Sequence, residues 1–278
     1  MSSSYKNIGD FINSKYLNGL VDLNNEYKNN YPFPHIVLDD FFNKQILENI
    51  FDELSILSDQ KKVDFENNIK KKIAFENVDD FPENIRKIFY FLNSGQFLNW
   101  MNKVSGIEEK LVADPDFFGG GVHKCFKGGY LKVHTDYHKH PTTHLDRRIN
   151  ALVYLNQNWI ENYGGHLELF DKNNLKESKK KILPIFNRFV AFSTTDISFH
   201  GHPDPLSCPD EKQRYSIATW YYSNGRDDVD KSFLNRKNTT FWVNRDHRDN
   251  IKNQKYTFKD YLKKFSFFRN LSKIIKKK

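Results

Sequence analysis

A series of short β-prone segments between residues 120 and 223 is the feature that most constrains the fold of this chain. The segments are rich in β-branched and aromatic residues, and glycines or polar residues separate each one from the next. Short strands at close spacing with turn signals between them are typical of a β-sandwich or a small barrel. The segments lie at 130–133, 148–156, 166–170, 188–192, 198–200 and 214–222.

Side chains that suit a metal ion lie at or just beyond the ends of two of these segments, 130–133 and 198–200. His134 and Asp136 are two positions apart, and residues i and i+2 of a strand point to the same side of a sheet. His200 supplies a second imidazole. Two histidines and one carboxylate on one face of a metal form the facial triad of non-haem Fe(II) centres, which leaves other coordination positions open. The plainer alternative is a surface strand with two polar residues on its solvent-facing side.

An arginine follows the second histidine. Arg214 begins the last segment, 14 residues after His200. A guanidinium pairs with a carboxylate through two parallel hydrogen bonds and stays charged at any physiological pH. We therefore predict that Arg214 binds a dicarboxylate beside the metal.

Three more histidines, His138, His140 and His144, follow the first strand of the site. This stretch has no cysteine and no regular ligand spacing, which disfavours a zinc cluster. We predict a solvated loop. If the loop covers the metal instead, these histidines would contact substrate.

The motifs occur in an order that resembles a known family. From about residue 120 to 223 the chain is similar to the prolyl-4-hydroxylase-like branch of the 2-oxoglutarate- and Fe(II)-dependent dioxygenases, and residues 32–39 resemble the entry segment of such proteins. The motifs that carry the resemblance are His134-x-Asp136, Val153-Tyr154-Leu155-Asn156, Gly164-Gly165-x-Leu167-x-Leu169-Phe170, His200-Gly201-x-Pro203 and Arg214-x-Ser216-Ile217-x-x-Trp220-Tyr221.

The resemblance implies a mainly β fold with flanking helices (α+β), built on a double-stranded β-helix, or jelly-roll, core. It implies that Fe(II) is bound by His134, Asp136 and His200, the last in preference to the nearby His202. It assigns the 2-oxoglutarate cosubstrate to Arg214, Tyr154 and Ser216. No catalytic residue is expected beyond the metal centre, O2 is the second cosubstrate, and ascorbate is a further candidate reductant.

One position departs from the family. Many members have a tyrosine shortly before the double glycine, where this chain has Cys125-Phe126. The implied activity is hydroxylation coupled to 2-oxoglutarate decarboxylation, with peptidyl proline favoured as substrate by resemblance alone. The alternatives are a small-molecule or sugar hydroxylase of the same superfamily and a cupin-like metal-binding protein without oxygenase activity. A simple metal cup needs no carboxylate clamp, so Arg214 argues against the cupin alternative.

Positive charge is concentrated at one end of the chain. The 278 residues carry 43 Lys and Arg against 35 Asp and Glu, but residues 251–278 contain ten of the bases and one of the acids. The other 250 residues are therefore close to neutral, so no nucleic-acid partner is predicted. The basic segment has a capping-box pattern at 257–260 followed by apolar residues at helical spacing. It predicts an amphipathic helix that packs on the core or contacts a membrane surface or an acidic partner.

The rest of the chain is expected to support this core. We predict a helical and strand support region at 1–115, a dioxygenase core at 116–224 and a C-terminal extension at 225–278, in which residues 239–243 form an added strand. Apolar spacing predicts helices at 41–51 and 85–100, whereas 59–72 and 172–181 are predicted to be surface loops. Cys125 and Cys208 fit free thiols in a reducing compartment, and no leader or membrane-spanning pattern is present, so a cytoplasmic location is expected.

Overall fold

A largely antiparallel sheet of twelve strands forms the centre of the molecule. The computed structural model describes residues 7–57, 63–67, 70–229, 237–249 and 251. Along the main path the strands pair in the order β1-β9-β6-β11-β4-β3-β5-β10-β7-β8, with β2 added to β3 and β12 added to β5. Their bounds are β1 His35–Leu38, β2 Val63–Glu66, β3 Lys70–Phe75, β4 Gly121–Cys125, β5 Tyr130–Thr135, β6 Asp146–Tyr154, β7 Leu167–Phe170, β8 Lys180–Ile182, β9 Arg188–Ser193, β10 Phe199–His202, β11 Arg214–Ser223 and β12 Phe241–Trp242. This is the predicted jelly-roll core.

The two longest strands, β6 and β11, lie side by side between β9 and β4. Their register pairs Ser216 with Tyr154 and Trp220 with Asn150. Nearly every residue of both strands is buried, on either face. A strand covered on both faces has no solvent-facing side to carry polar alternation. Here one face lines the barrel interior, and the other packs under the helices.

Among the described residues, five α-helices lie in the first part of the chain: α1 Ile8–Phe11, α2 Leu20–Asn29, α3 Ile50–Ile56, α4 Glu83–Leu92 and α5 Gly95–Ser105. An aromatic cluster joins them to the outer face of the sheet. Phe41 stacks on Phe189 of β9 at 4.4 Å between ring centroids, and Phe97 of α5 meets Phe189 edge to face at 6.0 Å. Burial of these large rings holds the helical layer against β6, β9 and β11.

The helix predictions needed two corrections. The apolar stretch at 85–100 forms two helices. The first ends at Leu92, and Ser94 caps the second by accepting a hydrogen bond from Phe97 N. Within 41–51 only a short 3-10 turn at Lys44–Ile46 precedes α3, which begins at Ile50. Phe41 and Phe42 are buried by the aromatic cluster and not by a helix of their own.

The expectation of a surface loop at 59–72 was wrong. Residues 63–66 and 70–75 form the hairpin of β2 and β3, and β3 also pairs with β4 and β5. Asn67 turns the hairpin, since its side chain accepts a hydrogen bond from the Lys70 amide. Charged residues can occupy such a strand because the pairing is made by the backbone. In the second predicted loop, 172–181, the last two residues belong to β8.

Residues from the C-terminal extension add a strand to the core. β12 pairs antiparallel with β5, and the Val243 amide donates to the Val133 carbonyl at 3.0 Å. An ion-pair network fixes this segment, because Asp249 accepts from Lys132 at 2.7 Å and from Arg245 at 2.8 Å. The expected strand at 239–243 is therefore present, as β12. The predicted helix beyond residue 251 lies outside the described residues.

No helix in the described ranges is both long enough and apolar enough to cross a membrane. Cys125 and Cys208 are buried free thiols, as expected.

Candidate metal centre and cosubstrate pocket

Three predicted ligand residues meet inside the barrel. His134 on β5 is paired in register with His200 on the adjacent β10, and Asp136 follows two residues after His134. One ligand atom from each of the three lies within 4.8 Å of the others, and all three side chains are buried. His202 is not a member of this cluster.

Backbone contacts orient both imidazoles. The Nδ1 atom of His134 lies 2.8 Å from the Lys132 carbonyl oxygen, and Nδ1 of His200 lies 2.9 Å from that of Ser198. A carbonyl only accepts, so each Nδ1 carries the proton and each Nε2 keeps a free lone pair. Fixing the tautomer through the second ring nitrogen is the usual arrangement of metal-binding histidines.

Asp136 is oriented by two donors. Its Oδ2 accepts from Asn150 Nδ2 at 3.0 Å and from Trp220 Nε1 at 3.1 Å. The other oxygen, Oδ1, lies 3.7 Å from His134 Nε2, too far for a hydrogen bond. This oxygen and the two Nε2 atoms form a donor set of two imidazoles and one carboxylate, which fits a divalent first-row metal.

The protonation states also suit a metal. Burial, reinforced by the nearby His200, lowers the pKa of His134 to about 3. Burial acts to raise the pKa of Asp136, but favourable electrostatic interactions with the neighbouring His200 and with the Arg147 guanidinium outweigh it and hold that pKa below its usual range. A neutral imidazole and an ionised carboxylate are the forms that bind metal.

Arg214 lies in the same pocket as the three ligands. Its Nε donates to the Gly165 carbonyl at 2.8 Å, and its guanidinium carbon is 4.9 Å from the centre of the Tyr154 ring. Gly165 has φ +70°, and a Cβ built there would lie 2.9 Å from Arg214 Cδ. Gly165 therefore provides the space in which Arg214 lies. Ser216 also lines the pocket, opposite Tyr154 in the β11–β6 register.

The wall beside Arg214 contains residues that sequence analysis did not assign. The β4–β11 register places Cys125 opposite Arg214 and His123 opposite Ser216, and both line the pocket. Nδ1 of His123 lies 3.2 Å from Lys72 Nζ, on β3. Burial and the positive charges of Lys72, Lys70 and Arg214 hold the pKa of His123 well below its usual range. The alternating pattern of β4 could have suggested His123, since it shares a face with Cys125.

A strand outside the jelly-roll motifs closes another side of the pocket. Trp242 of β12 is paired in register with His134, and its ring stacks on the imidazole with centroids 4.5 Å apart. Thr240, two residues earlier, also lines the pocket, whereas the intervening Phe241 is half exposed. No motif predicted this contribution, because only the pairing of β12 with β5 brings the two residues together.

A buried arginine lies behind the metal cluster. Arg147 is fully buried, with its guanidinium carbon 3.5 Å from the Tyr137 ring centre and 4.5 Å from that of Trp220. Its Nη1 is 3.7 Å from Asp136 Oδ2. The positive charge compensates the buried carboxylate, and the aromatic faces make favourable cation–π contacts. Trp220 therefore contacts a candidate ligand as well as packing in the core.

The expectation that the histidine loop is solvated was wrong for two of its three histidines. His138 and His140 are each 2% exposed, and only His144 is exposed. The His140 ring accepts from the Thr142 and Thr143 amides and lies beside Asp114. Asp114 in turn accepts from the Asp116 and Phe118 amides. These contacts hold His140 against the core, where its ring supports the backbone of the loop.

Comparisons with known proteins agree with this geometry. A family model for the 2OG-Fe(II) oxygenase superfamily matches residues 120–222. Prolyl 3-hydroxylase OGFOD1 of Mus musculus is 29% identical over 206 residues, which are 69% of this chain and 33% of that protein. The chain thus spans about a third of the length of this curated relative.

Two solved structures share the fold. A prolyl hydroxylase from Trichoplax adhaerens, in complex with a hypoxia inducible factor peptide fragment, has a TM-score of 0.55 at 20% identity and covers 76% of this chain and 94% of its own. A Pseudomonas putida prolyl-4-hydroxylase has a TM-score of 0.53 at 14% identity and covers 74% and 100%. Identities this low establish the common architecture alone.

Proposed function

We propose, from the match of residues 120–222 to the family model of the 2OG-Fe(II) oxygenase superfamily, that this protein is an Fe(II)- and 2-oxoglutarate-dependent dioxygenase that hydroxylates a prolyl residue of a peptide. The observation that supports this most is the presence of His134, Asp136 and His200 in one cavity with Arg214. Three metal-ligating side chains alone are compatible with many activities. The same three beside the buried guanidinium of Arg214, held by the Gly165 carbonyl, are what an enzyme that uses a dicarboxylate cosubstrate requires.

In this proposal, Fe(II) is held by Nε2 of His134, Nε2 of His200 and Oδ1 of Asp136. Together with 2-oxoglutarate and O2, the bound metal supplies oxidative hydroxylation with release of succinate and carbon dioxide. Arg214 orients the cosubstrate by pairing with its distal carboxylate, next to Tyr154 and Ser216. The backbone contacts to the imidazoles keep their Nε2 atoms free of protons.

The remaining walls of the pocket suit an apolar ring flanked by peptide. Tyr137, Trp220 and Trp242 present aromatic side chains to the cavity that holds the cluster. Aromatic walls bury aliphatic surface well and exclude water from the reacting centre. The matched relative is named a prolyl 3-hydroxylase, and one structural neighbour holds a peptide. Both support a peptidyl proline substrate.

The test measures succinate released from 2-oxoglutarate by the Fe(II)-loaded protein under O2. Proline-containing peptides are compared with matched alanine peptides, free amino acids and nucleotide sugars, and mass spectrometry with NMR locates the added oxygen. Turnover stimulated only by proline peptides, with product at C3 or C4 of the ring, supports the proposal. Stimulation by a sugar instead would support the small-molecule alternative. No succinate under any condition would support the cupin alternative.

The basic segment at 251–278 supports a separate proposal about partners. Its excess of lysine suits an anionic membrane surface or an acidic protein. Co-sedimentation with anionic vesicles at low salt, for the full chain and for one ending at residue 250, tests this contact. The two buried free thiols support a location in a reducing compartment such as the cytoplasm.

A further inference from the structure

His202 is a buried histidine that the candidate metal cluster does not use. It lies at the end of β10, two residues beyond His200, and is 5% exposed. It lines the pocket that also contains Arg214, Tyr154 and the three candidate ligands. Gly165, whose carbonyl holds Arg214, lines an outer cleft together with His202. His202 is therefore at the Arg214 end of the pocket.

The imidazole of His202 is only partly satisfied by the protein. Its Nε2 lies 4.0 Å from Cys125 Sγ, at the limit for a weak contact with a thiol. Its Nδ1 is buried, with no hydrogen-bond partner in the described part of the chain. The same holds for the hydroxyl of Tyr154, which is fully buried near Arg214. Buried polar groups are rarely left unpaired, because the lost hydration costs free energy.

Unpaired polar atoms beside a buried guanidinium point to a ligand that accepts hydrogen bonds. Arg214 contributes charge, but its Nε is already used by the Gly165 carbonyl. A carboxylate has two oxygens and can accept from several donors at once. An imidazole N–H and a phenol O–H at the same end of the pocket would complete the shell around it.

We propose that His202 is a cosubstrate-binding residue, which donates a hydrogen bond to the distal carboxylate of 2-oxoglutarate alongside Arg214 and Tyr154. This rests on the proposed function, since it concerns the same keto acid. It gives a role to a histidine that otherwise competes with His200 for the metal. The contribution of His202 to ligand affinity then depends on the distal carboxylate and not on the keto acid group near the metal.

The experiment is calorimetric titration of the full-length protein loaded with Mn²⁺, which needs no turnover. The ligands are 2-oxoglutarate and 2-oxopentanoate, which keeps the keto acid group but has a methyl in place of the distal carboxylate. The variants are His202→Leu, which keeps the bulk but removes the nitrogens, and His202→Asn, which restores an N–H donor. His247→Ala is the control, because that histidine is 93% exposed.

We expect His202→Leu to weaken 2-oxoglutarate binding on the order of 10- to 100-fold, the scale of a hydrogen bond to a charged group. His202→Asn should recover part of this, and neither change should alter 2-oxopentanoate binding or Mn²⁺ affinity. Equal 2-oxoglutarate affinity in wild type and His202→Leu overturns the inference. An equal loss for both ligands also overturns it, since His202 would then act elsewhere. If the wild type binds Mn²⁺ but no 2-oxoglutarate, the proposed function itself fails.

Discussion

Trp242 covers the imidazole of His134 with its ring, at a centroid distance of 4.5 Å and an interplanar angle of 30°. The two residues are 108 positions apart and lie opposite each other in the β12–β5 pair. A candidate ligand is thus held by the Lys132 carbonyl at Nδ1 and by an aromatic face on its side. The C-terminal extension therefore contributes to the site through residues that the family motifs do not include.

Removing this aromatic cover should weaken metal binding. An aromatic pair of this kind contributes about 0.5–1.5 kcal/mol beyond its buried area. We expect Trp242→Ala to lower Mn²⁺ or Co²⁺ affinity by roughly two- to tenfold, and Trp242→Phe to retain most of it. Competition with a metal-sensitive chelator measures the effect. Phe241→Ala is the matched control, because that side chain points away from the pocket and is half exposed. Equal affinities for Trp242→Ala and Phe241→Ala would contradict the role.

Substitutions of the two histidines of β10, His200 and His202, should have different effects on metal binding. We expect His134→Ala, Asp136→Ala and His200→Ala each to abolish Fe(II)-dependent turnover. Each should reduce metal affinity by more than the roughly 10- to 100-fold loss that an outer-shell partner causes. His202→Ala should keep metal affinity, because its ring nitrogens lie outside the ligand cluster. Metal content after dialysis and calorimetric titration with Mn²⁺ measure this. Metal loss in His202→Ala with retention in His200→Ala would reverse the assignment.

The double glycine allows a test of how Arg214 is held. Gly164 and Gly165 both have φ +70°, but a Cβ at Gly164 meets nothing within 4 Å, whereas one at Gly165 meets Arg214. Each change to alanine should lower stability, because both backbones have positive φ. At Gly164, with φ +70° and ψ −151°, the conformation is one that only glycine adopts readily, so the expected cost is about 1–3 kcal/mol. Only Gly165→Ala should displace the guanidinium and raise the Kd for 2-oxoglutarate, by roughly 10- to 100-fold.

Replacing Arg214 itself gives the loss of 2-oxoglutarate affinity against which the effect of Gly165→Ala is compared. Arg214→Ala should cost about 2–5 kcal/mol of cosubstrate binding and spare metal affinity, and Arg214→Lys should recover only part, since a point charge replaces a two-pronged donor. An unchanged 2-oxoglutarate affinity in Arg214→Ala would remove this residue from the site.

The metal-free protein should lose stability as the pH falls below the ordinary histidine range. Burial lowers the pKa of His134 to about 3 and holds those of His123 and His202 well below the usual 6.5. Below pH 6.5 the unfolded chain therefore binds more protons than the native one, so acid favours unfolding. Each such histidine contributes up to about 1.4 kcal/mol per pH unit.

Urea unfolding of chelator-treated protein between pH 7.5 and pH 4.5 measures this dependence. We expect His202→Leu to reduce the slope of unfolding free energy against pH, because one buried neutral histidine is removed. His247→Ala should leave the slope unchanged, since its imidazole is almost fully exposed. Parallel curves for wild type and His202→Leu would show that this histidine does not stay neutral in the native protein.

Local sequence pattern was enough to predict the centre of the site. Because side chains alternate along a strand, the spacing of His134 and Asp136 was enough to predict that they face the same cavity. The order of the motifs indicated the jelly roll through its resemblance to a known family. These features depend on residues that are close in the chain or on the order of motifs along it. They can therefore be predicted from one amino-acid sequence.

Contacts between distant strands required the tertiary structure. Asn150 and Trp220 reach Asp136 only because β6 and β11 pair in one register. The same is true of Trp242. The sequence predicted a strand at 239–243, but not its pairing with β5, which brings Trp242 against His134. In the histidine loop the local pattern led to a wrong prediction. His138 and His140 were expected to be solvated but are buried, His140 beside Asp114. Alternation along one strand is fixed by covalent geometry, whereas the pairing of strands depends on the packing of the whole barrel, which local pattern does not encode.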